Sequence, residues 1–364
     1  MAPFKSSLAR SAGKLFGVFR ERDLSLRGAT QSTRKPGPFS ATGGNTKRTL
    51  GSYTIHTFTT TGASTFEVTG GENKTITYVV VGGGGHGVGG SGGGGGAGGY
   101  RTGTVSSVSA GTYDVQVGSG SIVSPLGPNT GQYSTIVDPA DVPYSNPNPY
   151  NGGTPSYVNL PSPIVSHGGG NGGGQSRITE PNSTLSGRAG GSGGGGFAAP
   201  SPSPGNPGGS GNINVIDQSS PVPSQGNPGG TANGGPDFNS SGGGGGGAGQ
   251  AGQNAGSFRG GAGGYGVRVP TVFQDPGGWQ GAPGPSGVWY CSGGGGGGYD
   301  GRGGGSPGTG GYGGGGNAGD PPGSPGGVPG TVNTGSGGGG SIAGYTPVLT
   351  GDGGPGVVMV AYLT

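Results

Sequence analysis

From residue 50 onward the chain alternates hydrophobic and polar positions with a period of two. In "YTIHTFTT" Tyr53 and Ile55 alternate with polar residues, in "STFEVTG" Phe66 and Val68 alternate with Thr and Glu, and "KTITYVVV" continues with Ile76, Tyr78 and Val80. Such alternation marks half-buried strands, so three are predicted here. "YRTGTVSSVSAGTYDVQVGSG" predicts two more, turning at Gly111 and Thr112, with Tyr113, Val115 and Val117 on one face. "GQYSTIVDP" and "PSYVNLPSPIVSHGGG" add short strands. The final segment, "GPGVVMVAYLT", is apolar almost throughout from Val357 to Leu363 and predicts a buried strand. Covering it requires the earlier strands, which implies a mainly β fold: a small antiparallel β-sandwich closed by the C-terminal strand.

The N-terminus has a different period. Across residues 6–27, Leu8, Ala12, Leu15, Phe16 and Phe19 share one helical face, Ser6 or Ser7 suits an N-cap and Gly28 a C-terminal cap. Arg10, Lys14, Arg20 and Arg22 fall largely off that face. A short amphipathic helix of this kind docks on a partner, lies on a membrane, or serves as a cleaved targeting peptide; docking is the leading reading. The chain then divides into a basic anchor (1–28), a polar linker (29–49), a β-strand region (50–167), a Gly/Pro-rich insertion (168–345) and the closing strand (346–364).

Composition changes the picture of the insertion. Of 364 residues 105 are Gly and 32 Pro, while hydrophobic residues make up 26% and charged residues 9%. Gly and Pro at this level without a strict period ordinarily mean disorder, but disorder also calls for abundant charge, which is missing here. Runs such as "SGGGGGGAGQ" break the triplet frame that collagen requires. At least seven runs of four to six glycines occur, including 92–96, 242–247, 293–298 and 337–340. Chains without Cβ atoms can extend as threefold helices and exchange backbone hydrogen bonds sideways, so the insertion is expected to form extended polyglycine-type helices and loops, with reversals at "NPGG", "DPPGSPGG" and "GPGPSG".

The glycines do not read as a nucleotide cradle. A dinucleotide fingerprint needs a helix after the loop, and glycine opposes one by about 1 kcal/mol per residue relative to Ala. Gly-Lys-Ser/Thr is absent. His56, His86 and His167 are too scattered to form a metal site with the single Cys291, and His86 and His167 read as polar stoppers at the ends of glycine tracts. Asp138 and Asp141 flank "PA" in a turn and read as turn-makers, not as a catalytic pair. No catalytic, metal or cofactor-binding residues are expected, and no cofactor.

Charge is uneven. Residues 1–50 carry ten Lys or Arg against two acidic residues, and the remainder seven against twelve. The body is thus mildly acidic, which argues against nucleic acid as a partner. Loop aromatics are the candidate recognition residues: Phe273, Trp279, Trp289, Tyr290, Tyr299 and Tyr312, set among Gly, Ser and Pro as in adaptable binding surfaces. Capping of glycine helices is the alternative role for the same residues. Particle-docking candidates are Leu8, Leu15, Phe16, Phe19, Arg20 and Arg22.

"YVVVGGGGHGVGGSGGGGGAGGYRTGTVSSVSAGTYDVQVGSGS" resembles the glycine-rich domain of tailed-phage tail fibres, adhesins and other virion proteins. There a strand runs into a glycine tract, then a Tyr-x-Val-x-Val-Gly hairpin, a further glycine tract and a last Val/Ile-rich strand. The matching parts are Gly111–Gly120, Ser156–Gly174 and Gly356–Leu363, and the likeness covers about residues 50 to 364. "GKLFGVFRERDLSLRG" resembles the leading segment of structural proteins from marine tailed phages. The resemblance implies a non-enzymatic virion protein of tail-fibre or adhesin type, on the particle surface, joined to other virion proteins by its N-terminal arm. It also implies a homo-oligomer, a trimer foremost, that meets a bacterial surface glycan or outer-membrane protein. A capsid-surface decoration or head-fibre protein, and a cellular glycine-rich structural protein, are the alternatives.

Overall fold

A computed structural model of the chain describes residues 37–71, 73–122, 152–161, 163–174, 185–198, 205–212, 224–235, 240–278, 281–284, 289–291, 293–299, 305–320, 326–342 and 350–364. Thirteen strands occur among them: β1 (Ser40–Thr42), β2 (Thr46–Leu50), β3 (Tyr53–Phe58), β4 (Gly62–Gly70), β5 (Lys74–Val81), β6 (Tyr100–Val108), β7 (Gly111–Val117), β8 (Ser156–Val158), β9 (Ile164–Ser166), β10 (Val267–Arg268), β11 (Ala282–Pro283), β12 (Trp289–Cys291) and β13 (Val357–Leu363). They build two five-stranded antiparallel sheets, β1-β4-β7-β8-β9 and β2-β3-β13-β5-β6, and a three-stranded one, β10-β12-β11.

The alternation along each strand explains the layering. Phe66 and Val68 of β4 and Val115 and Val117 of β7 point to the same core as Phe58, Ile76, Val80, Val358 and Val360 of the second sheet. The opposite face of that second sheet is also covered: Val79, Val81, Val357, Met359 and Ala361 pack with Val269, Phe273 and Cys291 beside the small sheet. A strand buried on both faces reads as a continuous apolar run, which is the pattern of β13. It lies between β3 and β5, with Val360 opposite His56 on one side and Tyr78 on the other. Strands β1 and most of β2 fall in the segment that composition marks as a linker. Edge strands with one partner each, they are largely exposed and polar, so no buried stripe betrays them.

The two ends of the sheets differ. At one end β5 leads from Val81 into Gly82, β6 is entered from Gly99, β7 leads into Gly118, β9 into His167, and β13 is entered from Gly356. The glycine segments therefore all gather at this end. At the other end Phe39 packs edge-on against Tyr362 with ring centroids 4.7 Å apart. Lys74 lies over both rings and donates to the Leu363 carbonyl, and Thr364 N donates to Ser52 O at 2.8 Å. Phe39 and the C-terminal residues are thus neighbours, at the end of the sheets away from the glycine lattice.

The glycine segments form a lattice of extended chains. In Gly92–Gly99 the N–H groups of residues 93, 96 and 99 donate to Gly173, Gly170 and His167, those of 94 and 97 to Gly243 and Gly246, and those of 95 and 98 to Gly338 and Gly335. Each neighbour returns every third residue. The carbonyls of the same stretch accept from Val88, Gly85 and Gly82, from Gly195 and Ser192, and from Gly295 and Gly298. The stretch is thus enclosed on all sides by backbone, at separations of 2.7 to 3.2 Å. Side chains cannot enter such a site: a Cβ placed on Gly94, Gly95 or Gly245 would coincide with a carbonyl of a neighbouring segment. Backbone hydrogen bonds between segments take the place of the apolar core that the composition lacks.

This arrangement corrects the expected fold of a small sandwich carrying extended polyglycine-type helices. Apart from the 3-10 turn Thr271–Phe273, no helix is formed among the described residues. The glycine segments are extended chain outside any helix, ordered chiefly by hydrogen bonds to the segments around them. What the molecule has is a mainly β body with two five-stranded antiparallel sheets. The amphipathic helix expected over residues 6–27 and the strand expected in "GQYSTIVDP" lie outside the described residues.

Candidate functional site

Four glycine segments end in the same way, with Gly-Gly-Tyr: Gly98-Gly99-Tyr100, Gly263-Gly264-Tyr265, Gly297-Gly298-Tyr299 and Gly310-Gly311-Tyr312. In each case a Cβ on the first glycine of the triplet would run into a neighbouring carbonyl, so the tyrosine marks where bare backbone packing gives way to a side chain. Two of the four are enclosed. Tyr299 is buried; Tyr100 is largely covered, and burial pushes its ionisation up. The other two face outward. Tyr265 and Tyr312 are 44% and 46% exposed, and their rings lie 4.8 Å apart with planes inclined at 43°.

Backbone fixes this pair. Gly266 N donates to the Tyr312 carbonyl at 2.7 Å, and the Tyr265 carbonyl accepts from both Gly249 and Gln250, at 2.9 and 3.1 Å. Gly313 and Gly314 follow with φ of +103° and +102°, which turns the chain away just beyond Tyr312. Residues with a Cβ rarely reach that region, so the turn keeps Tyr312 at the surface. A Cβ on Gly266 would run into the Cys291 carbonyl, which places the pair beside β12. Exposed Arg268 and Thr309 belong to the segments that carry the two rings, and exposed Gln250 to the segment bonded to Tyr265. Two outward phenols on a rigid backbone support, among amide, hydroxyl and guanidinium groups, can stack on sugar rings and hydrogen-bond to their hydroxyls.

The expected recognition residues are dispersed by the fold. Phe273 is buried in the 3-10 turn against the second sheet, and Tyr299 is buried inside the lattice. Trp289 and Tyr290 lie in β12, between β10 and β11, where Trp289 pairs with Pro283 and Tyr290 with Arg268 and Ala282. Tyr312 is exposed and meets Tyr265, a residue not singled out from the sequence. The repeated Gly-Gly-Tyr-Gly of 263–266 and 310–313 is the signal that could have found it. Trp279 lies outside the described residues, as do Leu8, Leu15, Phe16, Phe19, Arg20, Arg22, Asp138 and Asp141.

His56 and His86 are buried and His167, just before Gly168, is half-buried. His86 shares a 2.7 Å hydrogen bond with Ser121 through Nδ1, its backbone N–H donates to the Asn171 side chain, and complete burial holds its pKa down to about 4. His167 is held down to about 4 by burial and by the Arg101 charge. Among the described residues no group of three or more His, Cys, Asp or Glu side chains is placed to hold a metal ion. An ion pair fastens the 3-10 turn region: Arg48 Nε lies 2.5 Å from Asp275, whose other carboxylate oxygen accepts from Gly277 N.

Comparison with curated proteins and with solved structures returns no match. The family model described as the glycine-rich domain matches residues 59–363, which takes in β4 through β13 with nearly all of the lattice. The chain belongs to the glycine-rich domain family.

Proposed function

We propose that the protein is a non-enzymatic structural component of a bacteriophage particle, of tail-fibre or adhesin type, displayed at the particle surface and engaged in host-cell attachment. The observation that carries this reading is the outward Tyr265–Tyr312 pair on a support made of backbone hydrogen bonds. Adjacent exposed rings form a larger apolar surface than scattered single residues do and so favour an interaction site, and the backbone bond from Gly266 to Tyr312 holds the two segments together. The class of partner is a bacterial surface glycan or outer-membrane protein. Mounting fits the same polarity: Phe39 lies at the end of the sheets opposite the lattice, so docking on other virion proteins through the N-terminal arm is compatible with free tyrosines.

Adsorption of the purified protein to a panel of bacterial strains, and to glycans extracted from them, tests the proposal. The expected result is binding to at least one strain that is lost in the Tyr265→Ala/Tyr312→Ala variant, with its melting temperature nearly unchanged. Absence of binding to every strain, together with antibody labelling of phage heads and not tails, would replace the adhesin reading with that of a head decoration.

A further inference from the structure

The interior and the rim of the glycine lattice differ in one residue type. Segments 82–87, 92–99, 242–247, 293–298 and 335–341, which are surrounded by other segments, contain no proline. Five of the outer segments each contain one, Pro207, Pro228, Pro307, Pro329 and Pro355, while the outer segment 250–256 has none and presents Gln and Asn side chains instead.

Their positions follow the three-residue period. In the segment around Pro329, Val328 and Thr331 donate to Asn317 and Gly314, and Gly330 donates to Asp352. The remaining column holds Pro329 and Val332, both exposed. Around Pro355, Gly351 and Gly354 donate to Gly339 and Ser336, and Gly353 and Gly356 to Ser121 and Gly118, so proline again occupies the third column. Around Pro228, Asn227 and Gly230 donate to Gly247 and Gly244, and Gly229 and Ala232 to Gly209 and Asn206. There the third column is Gln225, Pro228 and Thr231. Its two N–H groups are taken by the side-chain oxygens of Asn212 and Asn254, at 3.0 and 2.8 Å. Pro307 repeats the device: three residues on, Gly310 N donates to Asn317 Oδ1 at 2.8 Å. Pro207 is exposed on a segment whose Gly209 and Asn212 point inward to Gly194 and Gly191.

A lattice built from identical extended chains has no intrinsic limit. Any outward column of N–H groups would serve a segment of a second molecule as readily as it serves an inner one, in the way an open sheet edge does. Proline has no N–H to offer and keeps φ near the value an extended chain already has, so it ends the pattern without bending the segment. We infer that the outward prolines, with the Asn side chains beside them, close the rim of the lattice to a second copy of this chain. Contacts between copies in an assembled particle then fall on other parts of the molecule. The inference is independent of what the tyrosines bind.

The test is sedimentation velocity over a hundredfold range of concentration. It compares the full chain with Pro207→Gly/Pro228→Gly/Pro329→Gly/Pro355→Gly and with a control, Pro38→Gly/Pro161→Gly/Pro163→Gly/Pro270→Gly, at prolines beside the sheets and outside these columns. The expected result is species larger than wild type that grow with concentration in the rim variant alone. If the fourfold rim variant shows no cooperative melting, Pro207→Gly/Pro329→Gly gives the same readout from the two most outward sites. A folded rim variant with the wild-type size at all concentrations, or equal association in the control, overturns the inference.

Discussion

His56 and Tyr362 stand 306 positions apart and meet in the interior, their rings 5.8 Å apart and inclined at 29°, with 3.4 Å between Nε2 and the phenolic oxygen. Nδ1 donates to the Gly43 carbonyl at 2.7 Å, so in the neutral ring Nε2 is the acceptor for the tyrosine. Burial lowers the His56 pKa, the Gly43 bond opposes that, and Lys47 adds to it. A proton on Nε2 would remove the acceptor and place a charge between the sheets.

Stability should therefore fall in mild acid. His86 and His167 are held down to about 4 in the folded protein, against about 6.5 in an unfolded chain. Above pH 6.5 both states are neutral at these rings and nothing is lost. As the pH drops from 6.5 toward 4 the unfolded state takes up protons that the folded state refuses, at a cost of up to about 1.4 kcal/mol per pH unit for each histidine. Denaturant melts between pH 8 and pH 4 check this, and the decline should be shallower in His86→Gln.

Substitution inside the lattice should be far costlier than its chemistry suggests. A Cβ on Gly245 would overlap the Gly95 carbonyl, whereas at Gly37 nothing lies within 4 Å. Gly245→Ala is expected to destabilise by at least about 3 kcal/mol, the upper range for overpacking, and Gly37→Ala by less than about 0.5 kcal/mol. Thermal melts of the two variants give the contrast directly.

Removing residues 357–364 should abolish folding, because β13 supplies the bond partners of both β3 and β5 and side chains to two cores. Within the first core, Phe66→Ala should cost about 3–5 kcal/mol. Limited proteolysis of the truncated chain and a melt of Phe66→Ala measure these effects.

Cys291 is fully buried between the small sheet and the second sheet. A thiol reagent is expected to label it only in denaturant, with native labelling slower by orders of magnitude. Rapid native modification would mean that β12 opens.

The strands were legible where one side of the chain had to be hidden. Phe66 and Val68 stand out against their polar neighbours, and Val357–Tyr362 has no polar side to turn outward, which is why its place between two strands followed from its composition. β1 and β2 gave no such signal, since an edge strand exposed on its surface has no stripe. The lattice was legible only in kind: abundant glycine implied that backbone would bond to backbone. Which segments meet was not, because residues without side chains carry no label for their partners. Gly94 and Gly95 are identical in sequence terms, yet one donates to Gly243 and the other to Gly338. Tyr265 differs from the other tyrosines only in its setting, and the repeated Gly-Gly-Tyr at the ends of glycine segments is the mark that it shares with Tyr312.

A bonding pattern that returns every third residue gives the glycine segments a reading frame. Three residues added within a segment would hand every later N–H back to the neighbour it already serves and lengthen that segment by about 10 Å. One or two residues would turn each later donor toward the wrong neighbour, all the way to the next loop. Chain length between segments is free to vary, and length within them is quantised in threes.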